Sequence, residues 1–223
     1  MPPNRSFLVL LLALPLGACL GPAVRPVELA EPGHVEASLG LALPNFDEVS
    51  AQAAVGLAPH LELEASGAGN WDSENPPDWR LDARLRGQIP VAGPVSVDLG
   101  LGVAESYYTA TQQSCSMSCN SPLRSRYLTG ETGLVWHLPP IAFGTWIDHA
   151  VAFSEGENCY ASPGFTAVNY VLGGTIGVEF DVASFFHFLI NLSTGSALYP
   201  TNLDNARTAI EWFDAGLGLE FIL

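Results

Sequence analysis

Residues 95–104 read VSVDLGLGVA, with a large apolar residue at every odd position and a small or polar residue at every even one. Successive side chains of a β-strand point to opposite faces, so this period of two predicts a strand with one apolar and one polar face. The same alternation recurs at 166–181 and at 213–223. The repeated pattern is that of β-strands and not of helices.

Counting such runs along the chain predicts ten strands, at 34–43, 50–57, 61–68, 78–89, 94–107, 125–138, 141–154, 165–181, 184–193 and 209–223. Short turns at 58–60, 90–93, 139–140 and 181–184 alternate with longer polar segments at 44–49, 69–77, 108–124, 155–164 and 194–208. One end of the structure is therefore expected to have tight turns and the other long loops.

An even number of strands of about ten residues, each with one apolar face, resembles the pattern of outer-membrane β-barrels with their short periplasmic turns and long external loops. We therefore predict an all-β fold, an up-and-down antiparallel transmembrane β-barrel of about ten strands, within a range of eight to twelve. Alternation alone does not say which face is wet, so a second reading stays open. It is a soluble periplasmic lipoprotein whose lipocalin-like barrel or β-sandwich binds a small apolar ligand.

Aromatic residues cluster near both ends of the predicted strands, as in interfacial girdles. The long-loop end has Trp79, Tyr107, Tyr108, Tyr127, Phe153, Tyr170 and Trp212, and the tight-turn end has Trp136, Phe143, Phe180, Phe186 and Phe221. The segment 218–223, GLEFIL, is similar to the C-terminal strand of bacterial outer-membrane barrels, although those more often end in an aromatic residue.

Composition narrows the class of protein. The chain has 223 residues, of which 48% are hydrophobic and only 14% charged. Its formal net charge is -15, and all eight basic residues are arginine. We expect one folded domain and no nucleic-acid partner, because such an acidic chain repels phosphates. The longest apolar run, 7–16, is about half of the ~20 residues that a membrane-spanning helix needs.

The N-terminal region has the three parts of a secretory leader: a cation at Arg5, the apolar run 7–16 and small residues before Cys19. Residues 16–19, LGAC, resemble the bacterial lipobox. The resemblance implies that 1–18 is a lipoprotein signal peptide and that Cys19 carries acyl chains in the outer membrane, since Leu20 is not the aspartate that retains some lipoproteins in the inner membrane. We interpret 19–33 as the lipidated cysteine with a flexible tether and 34–223 as the β-barrel domain. Outer-membrane lipid is then the predicted partner, and no protein partner is identified.

Strand 78–89 contains the densest group of cations, with Arg80, Arg84 and Arg86 on its polar face. The carboxylates expected on the polar faces of the other strands include Glu62, Glu64, Asp98, Glu131, Glu179 and Glu220. The interior of a barrel of eight to ten strands is narrow enough for side chains to fill, so we predict an interior charge network that closes it. The alternative is a selectivity constriction or an anion-binding site formed by the arginines.

Signals for catalysis or metal binding are weak. Cys115, Cys119 and Cys159 predict one disulfide and one remaining thiol in an oxidising compartment, with the pairing open. No histidine lies near them to complete a zinc site, and Asp148 and His149 are adjacent, which puts them on opposite faces of a strand. We predict no metal, no cofactor and no enzyme activity. The expected role is structural or in surface interaction, with a narrow solute pore as the second option.

Overall fold

The computed structural model describes residues 24–43, 48–70, 79–114, 117–158, 162–199 and 208–223, and within them ten antiparallel strands form one closed barrel. The strands are β1 (Val35–Leu43), β2 (Glu48–Ala58), β3 (Leu61–Asn70), β4 (Trp79–Ala92), β5 (Val95–Ser114), β6 (Met117–Leu138), β7 (Ile141–Asn158), β8 (Ser162–Ala183), β9 (Phe186–Tyr199) and β10 (Thr208–Ile222). The predicted all-β, up-and-down antiparallel barrel is confirmed.

Each strand pairs with the next along the chain, and β1 pairs with β10 to close the sheet. At this seam Leu39 lies opposite Leu219 and Gly40 opposite Gly218. Closure pairs every strand on both sides, so the barrel has no free edge. The described part of the chain contains no helix long and apolar enough to cross a membrane.

Several strands extend further at the long-loop end than the alternation predicted. β5 continues past the predicted residue 107 to Ser114, and β6 begins at Met117 instead of residue 125. Their pairing runs without a register shift to Ser114 and Met117. This extension is rich in Tyr, Thr, Ser and Gln and lacks the apolar alternation that revealed the rest of the strand, so its backbone pairing alone identifies it.

The two faces of the barrel differ sharply in polarity. Large apolar side chains face outward, and Leu101 and Val103 on β5 are 73% and 55% exposed. Inward positions of the same strand are buried, among them Asp98 and Ser106. This arrangement is opposite to that of a soluble barrel with an apolar interior, and it does not fit the lipocalin-like reading.

Aromatic pairs mark both ends of the outward apolar surface. At the tight-turn end the rings of Trp136 and Phe143 lie 5.4 Å apart, centroid to centroid, and the rings of Phe186 and Phe221 lie 5.3 Å apart. At the other end Trp79 stacks on Tyr107 at 6.3 Å.

One member of the predicted belts is placed differently. Tyr127 is buried inside the barrel, where its hydroxyl lies 3.1 Å from Ser106 Oγ, so its assignment to the outer belt was wrong. The partner Ser106 is one of the inward-facing polar residues, and a phenol that can reach a buried hydroxyl is satisfied in the interior.

The segment before β1 enters the barrel. Val24, Arg25, Pro26, Val27 and Ala30 are all buried, although they belong to no strand. The segment meets the wall at the tight-turn end, where Gly33 N–H donates to Gly56 O and Gly56 N–H donates to His34 O. The flexible tether expected at 19–33 therefore differs from what residues 24–33 do, since this part is packed within the lumen. We call residues 24–31 the plug.

Candidate functional site

The centre of the lumen is organised by Arg86 on β4. Its Nε and Nη2 donate to Asp98 Oδ2 at 2.9 and 2.6 Å, and its Nη1 lies 3.3 Å from Glu62 Oε1. The same guanidinium donates to the plug carbonyls of Pro26 at 3.0 Å and Val27 at 2.9 Å. Arg86 and Asp98 are 0% exposed, so no water-wide passage reaches them. The guanidinium of Arg86 thus binds the wall to the plug and closes the lumen at this level.

Carboxylates of the wall bind backbone N–H groups of the plug. Glu179 Oε2 accepts from Val27 N–H at 2.8 Å and from Glu28 N–H at 3.0 Å, and Glu62 Oε2 accepts from Ala30 N–H at 2.8 Å. These bonds satisfy donors that a segment without secondary structure would otherwise bury unpaired.

Amides of the wall satisfy carbonyls of the plug in the same way. Gln88 Nε2 donates to Val27 O at 2.8 Å, and Asn191 Nδ2 donates to Arg25 O at 3.1 Å. With the contacts of Arg86, most of the polar recognition of the plug is through its backbone. The wall therefore holds the plug through side chains that bond to the plug backbone.

Arg25 is the cation that the plug itself contributes. Its guanidinium forms a buried ion pair with Glu131 and lies 3.7 Å from Asp148 Oδ1. It also stacks over the ring of Trp146, 4.4 Å from the centroid. Glu131 pairs in addition with Arg84 of the wall, so this carboxylate joins plug and wall.

Trp146 on β7 forms the apolar part of the lumen together with Val27, Val135 and Ala142. Its indole Nε1 donates to Asp98 Oδ2 at 3.1 Å. The ring occupies space left by glycines on its own strand and on the two adjacent strands, because a Cβ added at Gly133, Gly144 or Gly177 would come within 2.3, 2.0 or 2.9 Å of its atoms.

Glycines also make room for the plug. A Cβ added at Gly40 would lie 2.3 Å from Val24 Cγ2, and one added at Gly218 would lie 2.4 Å from Val24 Cγ1. A Cβ at Gly56 would lie 2.1 Å from Glu31 O. The wall is thus shaped to the plug at both its ends.

A second group of charges lies nearer the long-loop end. Arg80 Nη2 donates to Asp82 Oδ2 at 3.1 Å, and Arg84 Nη2 lies 3.6 Å from the same oxygen. Arg80 also stacks on the ring of Tyr127, 5.7 Å from its centroid.

The structure places all nine residues predicted for the interior network in buried positions, namely Arg80, Arg84, Arg86, Glu62, Glu64, Asp98, Glu131, Glu179 and Glu220. Two of these carboxylates have partners other than the expected arginines. Glu179 binds plug N–H groups, and both Glu179 and Glu220 lie beside His187. Sequence reasoning missed Arg25, Trp146 and His187. Arg25 has no periodic signal, and the other two could have been found from their inward positions in alternating strands.

Other sequence-predicted sites take no part in the lumen. Asp148 faces Arg25, whereas His149 on the opposite face packs over Gly130, so the two residues do not form a dyad. Cys19, Cys115 and Cys159 lie outside the described residues, and of Cys119 only the backbone, in β6, is described. Their lipidation and disulfide bonding stay predictions.

A closed ten-strand barrel with an apolar outer surface, aromatic girdles and a charged interior has the architecture of outer-membrane β-barrels. The barrel superposes on the outer membrane protease OmpT of Escherichia coli with a TM-score of 0.53 and 12% identity, covering 86% of this chain and 97% of that one. The N-terminal β-barrel domain of Pseudomonas aeruginosa OprF matches more loosely, with a TM-score of 0.42, 12% identity and coverage of 86% and 98%. No protein-family model matches the sequence, and no curated protein matches it either. At this identity the likeness establishes the fold and nothing about activity.

Proposed function

We propose that this protein is an outer-membrane β-barrel lipoprotein, anchored in addition through Cys19, whose lumen is closed by its own N-terminal segment. Its role is structural or in surface interaction, and it is not an enzyme or an open transport pore. The observation that carries the proposal is the plug, because residues 24–31 occupy the space that a channel would need and are bonded to several strands at once.

The outward surface supports residence in a membrane. Leucine, isoleucine, valine and phenylalanine side chains are exposed on β1 through β10, with Leu101 at 73% and Ile147 at 59%. A continuous apolar surface of this extent is unfavourable in water and favourable in lipid. The aromatic pairs at the two ends of the barrel lie where the two surfaces of a bilayer would be.

The closed interior supports a non-conducting role. Val27, Arg86, Asp98, Val135 and Leu189 are each 0% exposed. They come from the plug and four different strands, so water does not reach these interior side chains. A narrow solute pore remains the second candidate, favoured only by the density of charged groups in the interior, and it would require the plug to move.

Membrane residence is tested with Cys19→Ala behind an intact cleavable leader. We expect this variant to stay in the membrane fraction, to need detergent for extraction and to migrate differently on a gel before and after boiling, because the barrel holds it there. Recovery as a freely soluble monomer would contradict the proposal and favour a soluble periplasmic lipoprotein.

Lipidation is tested by labelling cells with a fatty acid and measuring the mass of the mature protein. The wild type should gain acyl label at Cys19, and Cys19→Ala should not. An unlabelled wild type cleaved as an ordinary secreted protein would leave a barrel without a lipid anchor.

The closed lumen is tested in planar bilayers. The wild type is expected to show no steady ion conductance. Conductance that changes in Arg84→Ala would support the narrow pore instead, because Arg84 lies in the interior beside Glu131 and Asp82.

A further inference from the structure

The tight-turn end of the lumen contains carboxylates that the arginines do not neutralise. Glu179, Glu220 and Asp181 surround His187, whose Nδ1 lies 2.7 Å from Glu179 Oε1 and 3.2 Å from Glu220 Oε2, and whose Nε2 lies 3.7 Å from Asp181 Oδ1. Three carboxylates thus share one imidazole. Even when protonated, this ring offers one positive charge to three negative ones.

A fourth carboxylate adds to the excess. Glu36 on β1 is 92% buried, at 8% exposure, and among the described residues it makes no hydrogen bond or ion pair. It faces the same part of the lumen, because Ser38, two residues along β1, lies opposite Glu220 in the register with β10. Its carboxylate lies near enough to Glu220, Glu62, Glu179 and His187 for their charges to interact. Four carboxylates thus lie around one imidazole, and a bound cation would offset this excess of negative charge.

The donor atoms are placed for a metal ion. One ligand atom from each of Glu179, Asp181 and His187 can be chosen so that all three lie within 4.8 Å of one another. Bonds of about 2.0–2.2 Å from Zn²⁺ to nitrogen and carboxylate oxygen require these side chains to turn toward one point, since Glu179 lies at Nδ1 of His187 and Asp181 at Nε2. A histidine among carboxylates favours Zn²⁺ over Ca²⁺ or Mg²⁺, which take oxygen ligands.

We propose that His187, Glu179 and Asp181 bind a divalent transition-metal ion, for which Zn²⁺ is the probe, with Glu220 as the fourth donor and Glu36 balancing the charge. Asp181 is 42% exposed by its side chain, so the site opens toward the tight-turn end. Glu179 uses Oε2 to bind the plug N–H groups and keeps Oε1 for the metal. The ion and the plug would therefore share one carboxylate, whether or not Cys19 is lipidated.

The test uses the full-length, untagged protein in detergent, titrated with Zn²⁺ by calorimetry and examined by X-ray absorption. We expect one high-affinity Zn²⁺ per chain with nitrogen and oxygen ligands. His187→Ala should weaken binding by more than about tenfold, the smallest effect expected even for partners that only orient a ligand. His34→Ala is the matched control, because this exposed histidine lies at the same end of the barrel and outside the cluster.

Asp181→Asn is a second variant, which keeps the test valid if His187→Ala fails to fold. Asp181 is at the surface, so its replacement should not disturb folding. It should weaken Zn²⁺ binding while leaving the gel shift on boiling intact. The proposal is overturned by absence of binding, by sulfur ligands that place the ion on the cysteines, or by equal losses in His187→Ala and His34→Ala.

Discussion

At the scale of single residues, Arg86 joins the wall to the plug, because one guanidinium binds Asp98, Glu62 and two plug carbonyls. Arg86→Ala would leave two carboxylates buried beside an unfilled space. We expect the free energy of unfolding to fall by about 3–5 kcal/mol, the usual cost of removing one partner from a buried ion pair. Urea titration of the protein folded in lipid vesicles measures this change.

The matched control is Arg126→Ala on the outside of the barrel. Arg126 is 59% exposed by its side chain and lies 3.4 Å from Glu105 Oε1. An exposed pair of this kind contributes at most about 1 kcal/mol. Equal losses from the two variants would show that Arg86 does not hold the lumen together.

Gly40 tests whether the wall is shaped to the plug. In Gly40→Ala the new Cβ would lie 2.3 Å from Val24 Cγ2, so Val24 has to move. We expect faster hydrogen exchange at the plug amides of Val27 and Glu28, which reports local opening. Adding Val24→Gly removes the contacts with Val24 and leaves the one of 2.7 Å to Ser50 Oγ, so it should restore part of the protection, as coupled neighbours do in a double-mutant cycle.

Gly87→Ala is the control for the glycine experiment, because its Cβ would meet its nearest neighbour at 3.4 Å, an ordinary contact. If Gly87→Ala and Gly40→Ala exposed the plug equally, the effect would belong to the strands and not to the fit of Val24.

At the scale of elements, the plug and the barrel wall make separable contributions. The strands of the wall contribute three buried arginines and eight buried carboxylates among the described residues, namely Arg80, Arg84, Arg86, Glu36, Glu62, Glu64, Asp82, Asp98, Glu131, Glu179 and Glu220. Replacing 24–31 by a Gly-Ser linker of the same length should give a conducting barrel. Its current should be selective for cations, because carboxylates outnumber arginines on the wall.

Conductance and reversal potential in planar bilayers measure this outcome. The linker variant keeps β1 through β10 and should still show the gel shift on boiling. A folded linker variant without conductance would mean that the wall side chains close the lumen by themselves.

The strands were predictable from the sequence because each outward face is apolar and each inward face is not. In 95–104 the odd residues that alternation groups together are the ones exposed on the barrel, such as Leu99 and Leu101. The plug was not predictable, because a segment held through its backbone has no periodic pattern of side chains. Its partners Glu179 and Asn191 lie more than a hundred residues away, so no local signal relates them to it.

At the scale of the whole molecule, the polarity of the two faces determines the solvent in which the barrel is stable. Leu101 lies about midway along the outward apolar part of β5, between the aromatic pairs at the two ends, and is 73% exposed. We expect Leu101→Arg to lower the free energy of unfolding in lipid vesicles by about 2–4 kcal/mol, the cost of an arginine at the middle of a bilayer.

Val91→Arg is the matched control, since Val91 is 63% exposed beside the β4–β5 turn. An arginine near the interface costs about 0–1 kcal/mol. Equal effects at the two depths would contradict a membrane-spanning wall.

The contacts of the plug also impose an order in time. Arg25 and Asn191 are 166 residues apart in the chain, and Val27 and Glu179 are 152 apart. Contacts between such distant residues form only after the long intervening chain has been organised. The contacts of the plug with Glu179 and Asn191 can therefore form only when β8 and β9, near the end of the chain, are in place. A plug bound to all of its partners therefore indicates that the barrel is almost completely assembled. A barrel arrested earlier would differ from the finished one by its incompletely bound N-terminal segment.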